Sequence, residues 1–240
     1  MKIRIATYNI HGGVGRDGIH SMDRIVQVIE EMNPDIIALQ EVGDLGDETN
    51  GRKQFQRLAR LKGLHFVAGP TGPGYYGNAI LSRFPLQNHG RTILNYRNRE
   101  PRGMLHCELD CSLLPGSMAR NFRIQVYATH LGLGYRERWQ QILRLVARIK
   151  QLRKAASSHA FLLGDLNIWW PFSTQLRYIR NNLHGQWISS PTFPARFPFI
   201  SLDRILFLGP LAGHRQLRHS SGLARIASDH LPLIADVELQ

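Results

Sequence analysis

Two segments of this 240-residue chain follow the same plan, and that plan limits the folds that the chain can adopt. In each, a strand-like run ends in polar residues, a glycine-containing loop and an amphipathic helical stretch follow, and a second apolar run ends in further polar residues. The segments are residues 2–41 and 122–167. This order is typical of α/β sheets, in which ligands bind outside the strand ends. The plan therefore predicts functional groups at the margins of a sheet.

The run Phe161–Asn167 is the most informative of these strand ends. Its apolar beginning predicts a buried strand, and it closes in Gly-Asp-Leu-Asn. Because side chains alternate along an extended backbone, Asp165 and Asn167 are expected to point the same way. An anionic oxygen beside a neutral hydrogen-bonding group suits a divalent metal ion with a phosphate next to it. Taken alone, the two residues fit an ordinary turn equally well.

Further polar groups lie at predicted strand margins, where a purely structural core would place none. They are Asn9, Glu41, His130, Asp203, Asp229 and His230. A lone histidine beside a strand is more often structural, but two histidines accompanied by carboxylates favour catalysis. A histidine with a near-neutral pKa can move a proton in either direction. Asp203 or Asp229 could fix the tautomer of His230.

Composition indicates which kinds of binding partner and which cellular compartment suit this chain. The formal net charge of +12 favours a polyanionic partner, which could be nucleic acid, an anionic membrane surface or a phosphorylated small molecule, over a merely basic protein. No apolar run is long enough to cross a membrane, and no secretory signal pattern is visible. Cys107 and Cys111 match no zinc spacing and are predicted to be buried free thiols. These features predict a cytoplasmic protein, and the absence of a linker predicts one domain over residues 1–240.

Periodicity predicts where helices and loops lie. Apolar spacing predicts helices from the cap Ser21 to Met32 and over residues 52–61, 136–154 and 174–181. The third helix is expected to bury a stripe that includes Leu143. Antiparallel strands are predicted at residues 86–94 and 102–111. Irregular structure is predicted at 43–51, over most of 168–200 and between 209 and 227, with a turn at 114–119.

Seven short motifs resemble, in the same order along the chain, those of the endonuclease/exonuclease/phosphatase superfamily. They are Thr7–His11, Leu39–Val42, Gly77–Arg83, Thr129–Leu131, Gly164–Asn167, Leu202–Ile205 and Ser228–His230. This superfamily includes pancreatic-type deoxyribonuclease, exonuclease III, inositol-polyphosphate phosphatases, neutral sphingomyelinases and deadenylases. Each motif alone is weak, but the ordered set is specific. The chain looks most like the compact bacterial members, because Thr192-Phe193-Pro194 precedes the Leu202-Asp203-Arg204 motif.

The resemblance implies a deoxyribonuclease-like α/β (α+β) fold, a four-layer sandwich of two packed mixed β-sheets with helices outside and the site at one end. It also implies Mg²⁺ or Mn²⁺ as cofactor. By this resemblance Glu41 is the main metal ligand, Asn9 helps on metal or phosphate, and Asp229 assists.

The same resemblance implies catalytic roles for five residues. Asp165 and Asn167 would hold the water and the phosphate oxygens. His230, paired with Asp203, would contact phosphate or activate water. His130 would act as general acid or stabilise the transition state. Whether Asp165 or His230 is the general base stays open.

Candidate substrate contacts lie in the central part of the chain. The resemblance implies that the strand 86–94 and the loop from Asn95 to Arg102 lie toward the substrate, which makes Arg97, Arg99 and Arg102 candidate phosphate contacts together with Asn78 of the third motif. An exposed basic loop is the alternative. His130 is shared with the deoxyribonuclease, sphingomyelinase and inositol-phosphatase branches and argues against abasic-site repair.

The resulting hypothesis is a Mg²⁺- or Mn²⁺-dependent phosphodiester hydrolase, nuclease-like, with no stable protein partner implied. An alternative keeps the enzyme but makes phospholipid head groups or inositol phosphates the substrate. Residues 168–200 would then be a lid or a membrane-facing loop, in which Trp169 and Trp170 are either exposed or part of the core. A third alternative, a catalytically dead polyanion-binding module, conflicts with the presence of the histidines and carboxylates described above.

Overall fold

In the computed structural model, which describes residues 1–112, 122–153 and 159–239, two six-stranded sheets lie face to face. The first contains β1 (Lys2–Asn9), β2 (Ile36–Val42), β3 (His65–Pro70), β4 (Gly77–Ser82), β11 (Leu211–Arg218) and β12 (Leu233–Leu239), in the order β11-β12-β1-β2-β4-β3. The second contains β5 (Leu86–Ile93), β6 (Gly103–Asp110), β7 (Arg123–His130), β8 (His159–Asp165), β9 (Gln186–Ser189) and β10 (Asp203–Leu208), in the order β5-β6-β7-β8-β10-β9.

Helices cover the outer faces of the sheets. They are α1 (Met22–Met32), α2 (Glu48–Ala59), α3 (Tyr135–Arg153), α4 (Thr174–Leu183) and the short α5 (Ala224–Ala227). Strands β1 and β2 are parallel and joined through α1, and β7 and β8 are parallel and joined through α3. The other pairings are antiparallel, so both sheets are mixed. The repeated plan predicted from the sequence is therefore a repeated parallel strand, helix, strand unit, one in each sheet.

Three apolar cores separate the four layers. The middle core forms where both sheets turn alternate side chains inward, such as Ile5 and Ile80 of the first sheet and Val126 of the second. Phe161 and Phe207 lie within this core with ring centroids 4.9 Å apart. The outer cores lie beneath α1 and α2 on one side and beneath α3 and α4 on the other. The predicted sandwich is confirmed.

Local signals explain where α1 and α2 begin and end. The Ser21 hydroxyl accepts a hydrogen bond from the Arg24 amide, and Asn33 ends α1 in the left-handed conformation, with a φ of 49°. Helix α2 begins at Glu48, so the prediction of irregular structure over residues 43–51 is wrong for its last residues. The Asp47 carboxylate accepts from the Asn50 amide at 3.1 Å, which makes it the cap.

Other predictions from periodicity need correction. Strand β9 lies inside the segment expected to be irregular, and β11 lies in an expected loop. Both are edge strands with few buried side chains, so they lack a clear apolar alternation. In α3 the buried stripe includes Leu145, whereas Leu143 is half-buried. The turn expected at 114–119 and the end of α3 at 154 lie outside the described residues.

Two further findings concern cysteines and membrane spans. Cys107 and Cys111 are buried and free, as predicted. Burial raises the pKa of the Cys111 thiol to about 12. In the ranges that the structure describes, no helix has both the length and the apolar character needed to cross a bilayer.

A surface cluster gives a pH-dependent stability prediction. The Ser221 hydroxyl, with help from His219, holds the pKa of the Glu31 carboxyl below its ordinary value, and both groups lie 2.6 Å from Glu31 Oε2. A carboxyl group whose pKa is lower in the folded state than in the unfolded state stabilises the fold at pH values above its unfolded pKa. This stabilisation is lost as the pH falls through the folded-state pKa. We expect Glu31→Gln to lower the free energy of unfolding at pH 7 by less than about 1 kcal/mol, because the carboxylate is partly solvent-screened. Urea unfolding at pH 7 and pH 3 checks this: an equal deficit at both values would contradict the linkage.

Candidate active site

The ends of seven strands meet at one end of the sandwich. Strands β1, β2, β7 and β8 finish there, and their antiparallel neighbours β4, β10 and β12 begin there. Asp165, the last residue of β8, pairs in register with His130 on one side and with Asp203 on the other. Polar residues that are distant in the sequence are thereby placed side by side.

Asp165 is the centre of the cluster. Its carboxylate is buried and accepts hydrogen bonds from the Asn9 side chain at 3.1 Å and from the Asn167 backbone at 2.8 Å. The Nε2 atoms of His130 and His230 lie 3.6 and 3.8 Å from its Oδ2. Burial is the main cause that raises the pKa of Asp165, and His230 opposes the rise. The carboxylate thus faces two imidazoles and one amide in a water-poor environment.

Gly164 explains how β8 presents Asp165. Its φ is +147°, and a Cβ there would lie 1.8 Å from the carbonyl oxygen of Thr129. Only glycine lets β8 approach β7 this closely. Three residues without this freedom also have positive φ at the site: Glu41 at 55°, Asn167 at 52° and His11 at 49°. Left-handed backbone in such residues is uncommon and concentrates at functional sites.

His230 forms a buried pair with Asp203. Its Nδ1 lies 2.8 Å from Asp203 Oδ2, which also accepts from the Thr192 hydroxyl at 2.6 Å. The Phe193 ring covers the imidazole at a centroid distance of 4.8 Å. Burial alone would lower the pKa of His230, but the carboxylates of Asp203 and then Asp165 reverse this and raise it. The raised pKa favours the protonated ring, which donates from Nδ1 to Asp203.

His130 has the opposite protonation state. Burial, then Arg102 and His230, lower its pKa well below the ordinary value. Its Nε2 lies 3.0 Å from Asn167 Nδ2, and that amide can only donate, so Nε2 accepts. The proton then lies on Nδ1, which is 3.8 Å from Glu41 Oε1 and otherwise without a partner among the described residues. Two histidines with opposite pKa shifts flank one carboxylate.

The donor set fits a divalent cation between Glu41 and Asp165. Burial is the main cause that raises the pKa of Glu41, and Asp229 adds to the rise. Asn9 Nδ2 donates to Glu41 Oε1 at 2.9 Å and to Asp165 Oδ2 at 3.1 Å, so an amide hydrogen-bond donor lies between a partly buried and a buried carboxylate. Asn9 Oδ1 accepts from the His11 amide at 3.1 Å, so the oxygen ligands at this point are the two carboxylates, which Mg²⁺ and Mn²⁺ prefer. A second group, Asp165, Asp203 and His230, brings one ligand atom of each within 4.8 Å of the others.

A small cavity beside Glu41 and His130 contains the candidate substrate contacts. Arg102 lines it and is only 5% exposed, with its Nε free of partners in the described part of the chain. Asn78 also lines it; its Nδ2 donates to the Gly103 carbonyl at 3.1 Å, and its Oδ1 is likewise unpartnered. Both offer buried polar atoms to a ligand.

The structure does not bring every predicted residue to this cavity. Arg97 and Arg99 are exposed, and the Arg97 guanidinium lies over the Tyr96 ring at 5.3 Å. Asp229 is on the rim, 38% exposed at its side chain, with Oδ1 3.8 Å from His11 Nδ1.

Sequence reasoning assigned no role to three neighbours of the site. Tyr76 lines the cavity, Thr192 binds Asp203, and His11 lies on the rim. The motifs contained a signal for each of them. Tyr76 directly precedes the Gly77–Arg83 motif, Thr192 begins the Thr-Phe-Pro segment, and His11 ends the first motif.

Arg102 gives a prediction about substrate binding. We expect Arg102→Lys to lower kcat/KM for a small soluble phosphodiester about 10- to 100-fold, because lysine cannot reproduce the planar fork that binds two phosphate oxygens. Exposed Arg97 and Arg99 serve as matched controls, and their alanine variants should change kcat/KM less than about twofold. Steady-state kinetics on the three variants checks this. Equal losses in all three would contradict the distinction between cavity and surface arginines.

A larger cleft of about 540 Å³ lies away from this site. It is bounded by residues of α1 and α2 and of the segments that follow α1, α2 and β4, including Glu30, Arg57, Arg60, Lys62 and Arg83. It contains no histidine and a single carboxylate. Glu41 and His130 line the smaller cavity, and none of the candidate site residues lines the larger cleft.

Comparisons with known proteins agree with this fold. The sequence profile of the endonuclease/exonuclease/phosphatase family matches residues 6–230. The uncharacterized protein YbhP of Escherichia coli K12 is 26% identical over 263 aligned residues, covering 100% of this chain and 97% of that protein. Among solved structures, mannosyl-6-phosphatase Bt3783 of Bacteroides thetaiotaomicron matches with a TM-score of 0.76 at 17% identity, over 99% of this chain and 100% of the other. The human nocturnin catalytic domain with bound sulfate also gives 0.76, at 21% identity, over 100% and 95%.

The structural likenesses at this level of identity establish the fold, and the profile match establishes the family. Members of that family are hydrolases that act on phosphoester bonds and generally depend on a divalent metal ion. Since the match covers nearly the whole chain and the fold agrees, the chain belongs to the endonuclease/exonuclease/phosphatase family.

Proposed function

We propose that this chain is a Mg²⁺- or Mn²⁺-dependent phosphodiester hydrolase. One observation carries the proposal: the Asn9 amide is held between the partly buried carboxylate of Glu41 and the buried carboxylate of Asp165, with His130 and His230 close to Asp165. A structural core gains nothing from bringing two carboxylates this close to one amide. A site that binds a cation and a phosphate beside it does.

Glu41 and Asp165 would hold the metal ion through their carboxylate oxygens, with Asp229 assisting from the rim and the Asn9 amide positioning the two carboxylates. A bound divalent ion would neutralise charge on the phosphate and polarise its oxygens. The alternative group of Asp165, Asp203 and His230 is less suited to a metal. The His230 Nδ1–H already donates to Asp203, and a protonated imidazole has no lone pair to offer.

The residues around Asp165 have separate proposed roles in proton transfer and in charge stabilisation. Asp165 is the proposed general base, because its carboxylate faces the site and a protonated His230 cannot accept a further proton. His230 would stabilise the negative charge that develops on the phosphate, and Asp203 holds its ring in place. His130 is proposed as a transition-state stabiliser that donates from Nδ1 and not as an imidazolium acid, since it is neutral in this environment.

The substrate class is proposed from charge and surface. A formal net charge of +12 and the buried Arg102 favour nucleic acid. A second candidate, phospholipid head groups, is favoured by the solvent exposure of Trp169 and Trp170, which excludes their assignment to the core. The presence of Glu41, His130, Asp165 and His230 in one cluster disfavours a dead binding module.

Nicking of supercoiled plasmid with Mg²⁺ tests the proposal. We expect activity that EDTA abolishes and that falls at least about 100-fold in His130→Ala, because His130 is one of the two imidazoles beside Asp165. His89→Ala is the matched control, since His89 is an exposed histidine on β5. Equal nicking by wild type and His130→Ala would contradict the role of His130. If neither nicks, release of phosphate from phospholipid vesicles and from inositol phosphates is measured next, and failure there too would overturn the proposal.

A further inference from the structure

Five aromatic side chains near the candidate active site are exposed to solvent, and together they form what we name the aromatic rim. Their exposed fractions are 55% for Trp169, 78% for Trp170, 94% for Phe172, 70% for Phe197 and 72% for Phe199. Single exposed apolar residues are ordinary on protein surfaces. Several large ones in neighbouring loops mark a surface that binds something.

The aromatic rim comes from two loops that meet beside His230. The Trp169 ring packs edge-on against Phe193 at 6.4 Å, and Phe193 covers His230. The Phe199 amide donates to the Phe193 carbonyl at 3.0 Å, which joins the second loop to the backbone of the same residue. Trp169 also follows Asn167 after a single residue. Whatever contacts the aromatic rim at Trp169 therefore lies close to His230.

Hydrogen bonds hold both loops in place. The Ser173 amide donates to the Trp170 carbonyl at 3.1 Å, which closes the first turn around Pro171. Arg225 Nη1 donates to the carbonyls of Ala195 and Arg196 at 3.4 and 3.2 Å, and these two bonds hold the second loop in place. The exposed rings are thus presented by ordered backbone, and binding would require little further ordering.

Arginine residues flank the aromatic rim, but its first loop carries no charged residue. Residues 169–173 read Trp-Trp-Pro-Phe-Ser and carry no charge. Exposed arginines lie on either side: Arg177 is one turn into α4, and the Arg196 guanidinium is 5.3 Å from the Phe197 ring centroid. Protruding tryptophan and phenylalanine flanked by arginine suit an anionic bilayer, because the rings enter the interface and the guanidinium groups bind lipid phosphates.

We propose that the aromatic rim docks this chain on the surface of an anionic phospholipid bilayer, with the active site facing the lipid head groups. A nucleic acid is the weaker candidate, because the uncharged first loop offers no cation to follow a phosphate backbone. Docking itself is independent of catalysis; only its consequence for substrate choice rests on the proposed function.

Vesicle co-sedimentation tests the proposal, with EDTA present so that no hydrolysis can occur. Wild type is compared with Trp170→Ala/Phe172→Ala on vesicles of phosphatidylcholine with phosphatidylglycerol and on phosphatidylcholine alone. We expect wild type to bind the anionic vesicles, and the double variant to bind them at least tenfold more weakly, on the order of the effect of burying one large apolar side chain. Ile93→Ala is the matched control, because Ile93 is 52% exposed on β5, at the opposite edge of the second sheet from β9.

Each outcome is decisive for docking. A loss confined to the double variant, with binding kept in Ile93→Ala, supports the proposal. Equal binding by wild type and double variant, or no binding by wild type, overturns it. A double variant that loses affinity for a single-stranded oligonucleotide but not for vesicles also overturns it and assigns the aromatic rim to base stacking. Hydrolysis of bis(p-nitrophenyl) phosphate with Mg²⁺, measured in parallel, shows whether the proposed function fails separately.

Discussion

Replacing Asp165 with asparagine is expected to lower kcat at least about 1,000-fold while leaving the fold as stable as before, or more stable. The activity loss follows from removing the proposed base and metal ligand. The stability result follows from burial: because the pKa of Asp165 is raised, its ionised carboxylate destabilises the folded state at neutral pH. Asparagine has the same shape and can keep the hydrogen bond from the Asn167 amide.

Thermal unfolding in EDTA and steady-state hydrolysis of a small phosphodiester check the two halves of this prediction. Glu238→Gln is the control, because it makes the same carboxylate-to-amide change at an exposed position on β12. A destabilised Asp165→Asn variant would show that the carboxylate is a net structural contact. Retained activity would remove Asp165 from the reaction.

The same substitution at Asp203, the register partner of Asp165, is expected to act differently. Asp203 accepts from both Thr192 and the protonated His230, so Asp203→Asn leaves His230 without its counter-charge. Breaking one side of a buried ion pair costs about 3–5 kcal/mol, and the cost here is at the lower end because His230 can release its proton. We expect the free energy of unfolding to fall by about 2–4 kcal/mol and kcat to fall about 100-fold or more.

The pH dependence separates this mechanism from simple loss of packing. A histidine whose pKa is higher in the folded state than in the unfolded state, as for His230, stabilises the fold at pH values below its unfolded pKa. That contribution disappears as the pH rises through the folded-state pKa. Wild type should therefore lose this share of its stability at alkaline pH, and Asp203→Asn should lack it throughout. Urea unfolding of both proteins at pH 6 and at pH 9 measures the difference. A constant difference across this range would contradict the ion-pair explanation.

Much of this arrangement was predictable, because polar residues at strand ends leave a visible pattern. Asn9, His130 and Asp165 each end a strand, Glu41 is the penultimate residue of β2, and the apolar runs before these residues predicted where the strands finish. Placing the sheets face to face required the family resemblance, since neither periodicity nor charge specifies how two sheets pack. The contact between Asn9 of one sheet and Asp165 of the other is a consequence of that packing.

Other features leave no such pattern. The left-handed backbone of Glu41 arises where β2 shifts register against β4 between Leu39 and Val42, and no local propensity encodes it. Strand β11 was not predicted because it lies at the edge of its sheet. It pairs with one strand only and its side chains are largely exposed, so its sequence shows no apolar alternation. The exposure of Trp169 and Trp170 could not be decided either, because large aromatic residues are equally compatible with a core and with a binding surface.

The position of β12 has a consequence for biosynthesis. This strand, residues 233–239, lies between β1 and β11, and His230 immediately precedes it. While the ribosome is still making this region, the nascent chain can already contain Asn9, Glu41 and Asp165, but β1 has no partner on one side and the cluster has no His230. Domains fold as units once their parts are available. A chain stalled before residue 230 should therefore be inactive, so that hydrolysis begins only after translation has passed the last described strand.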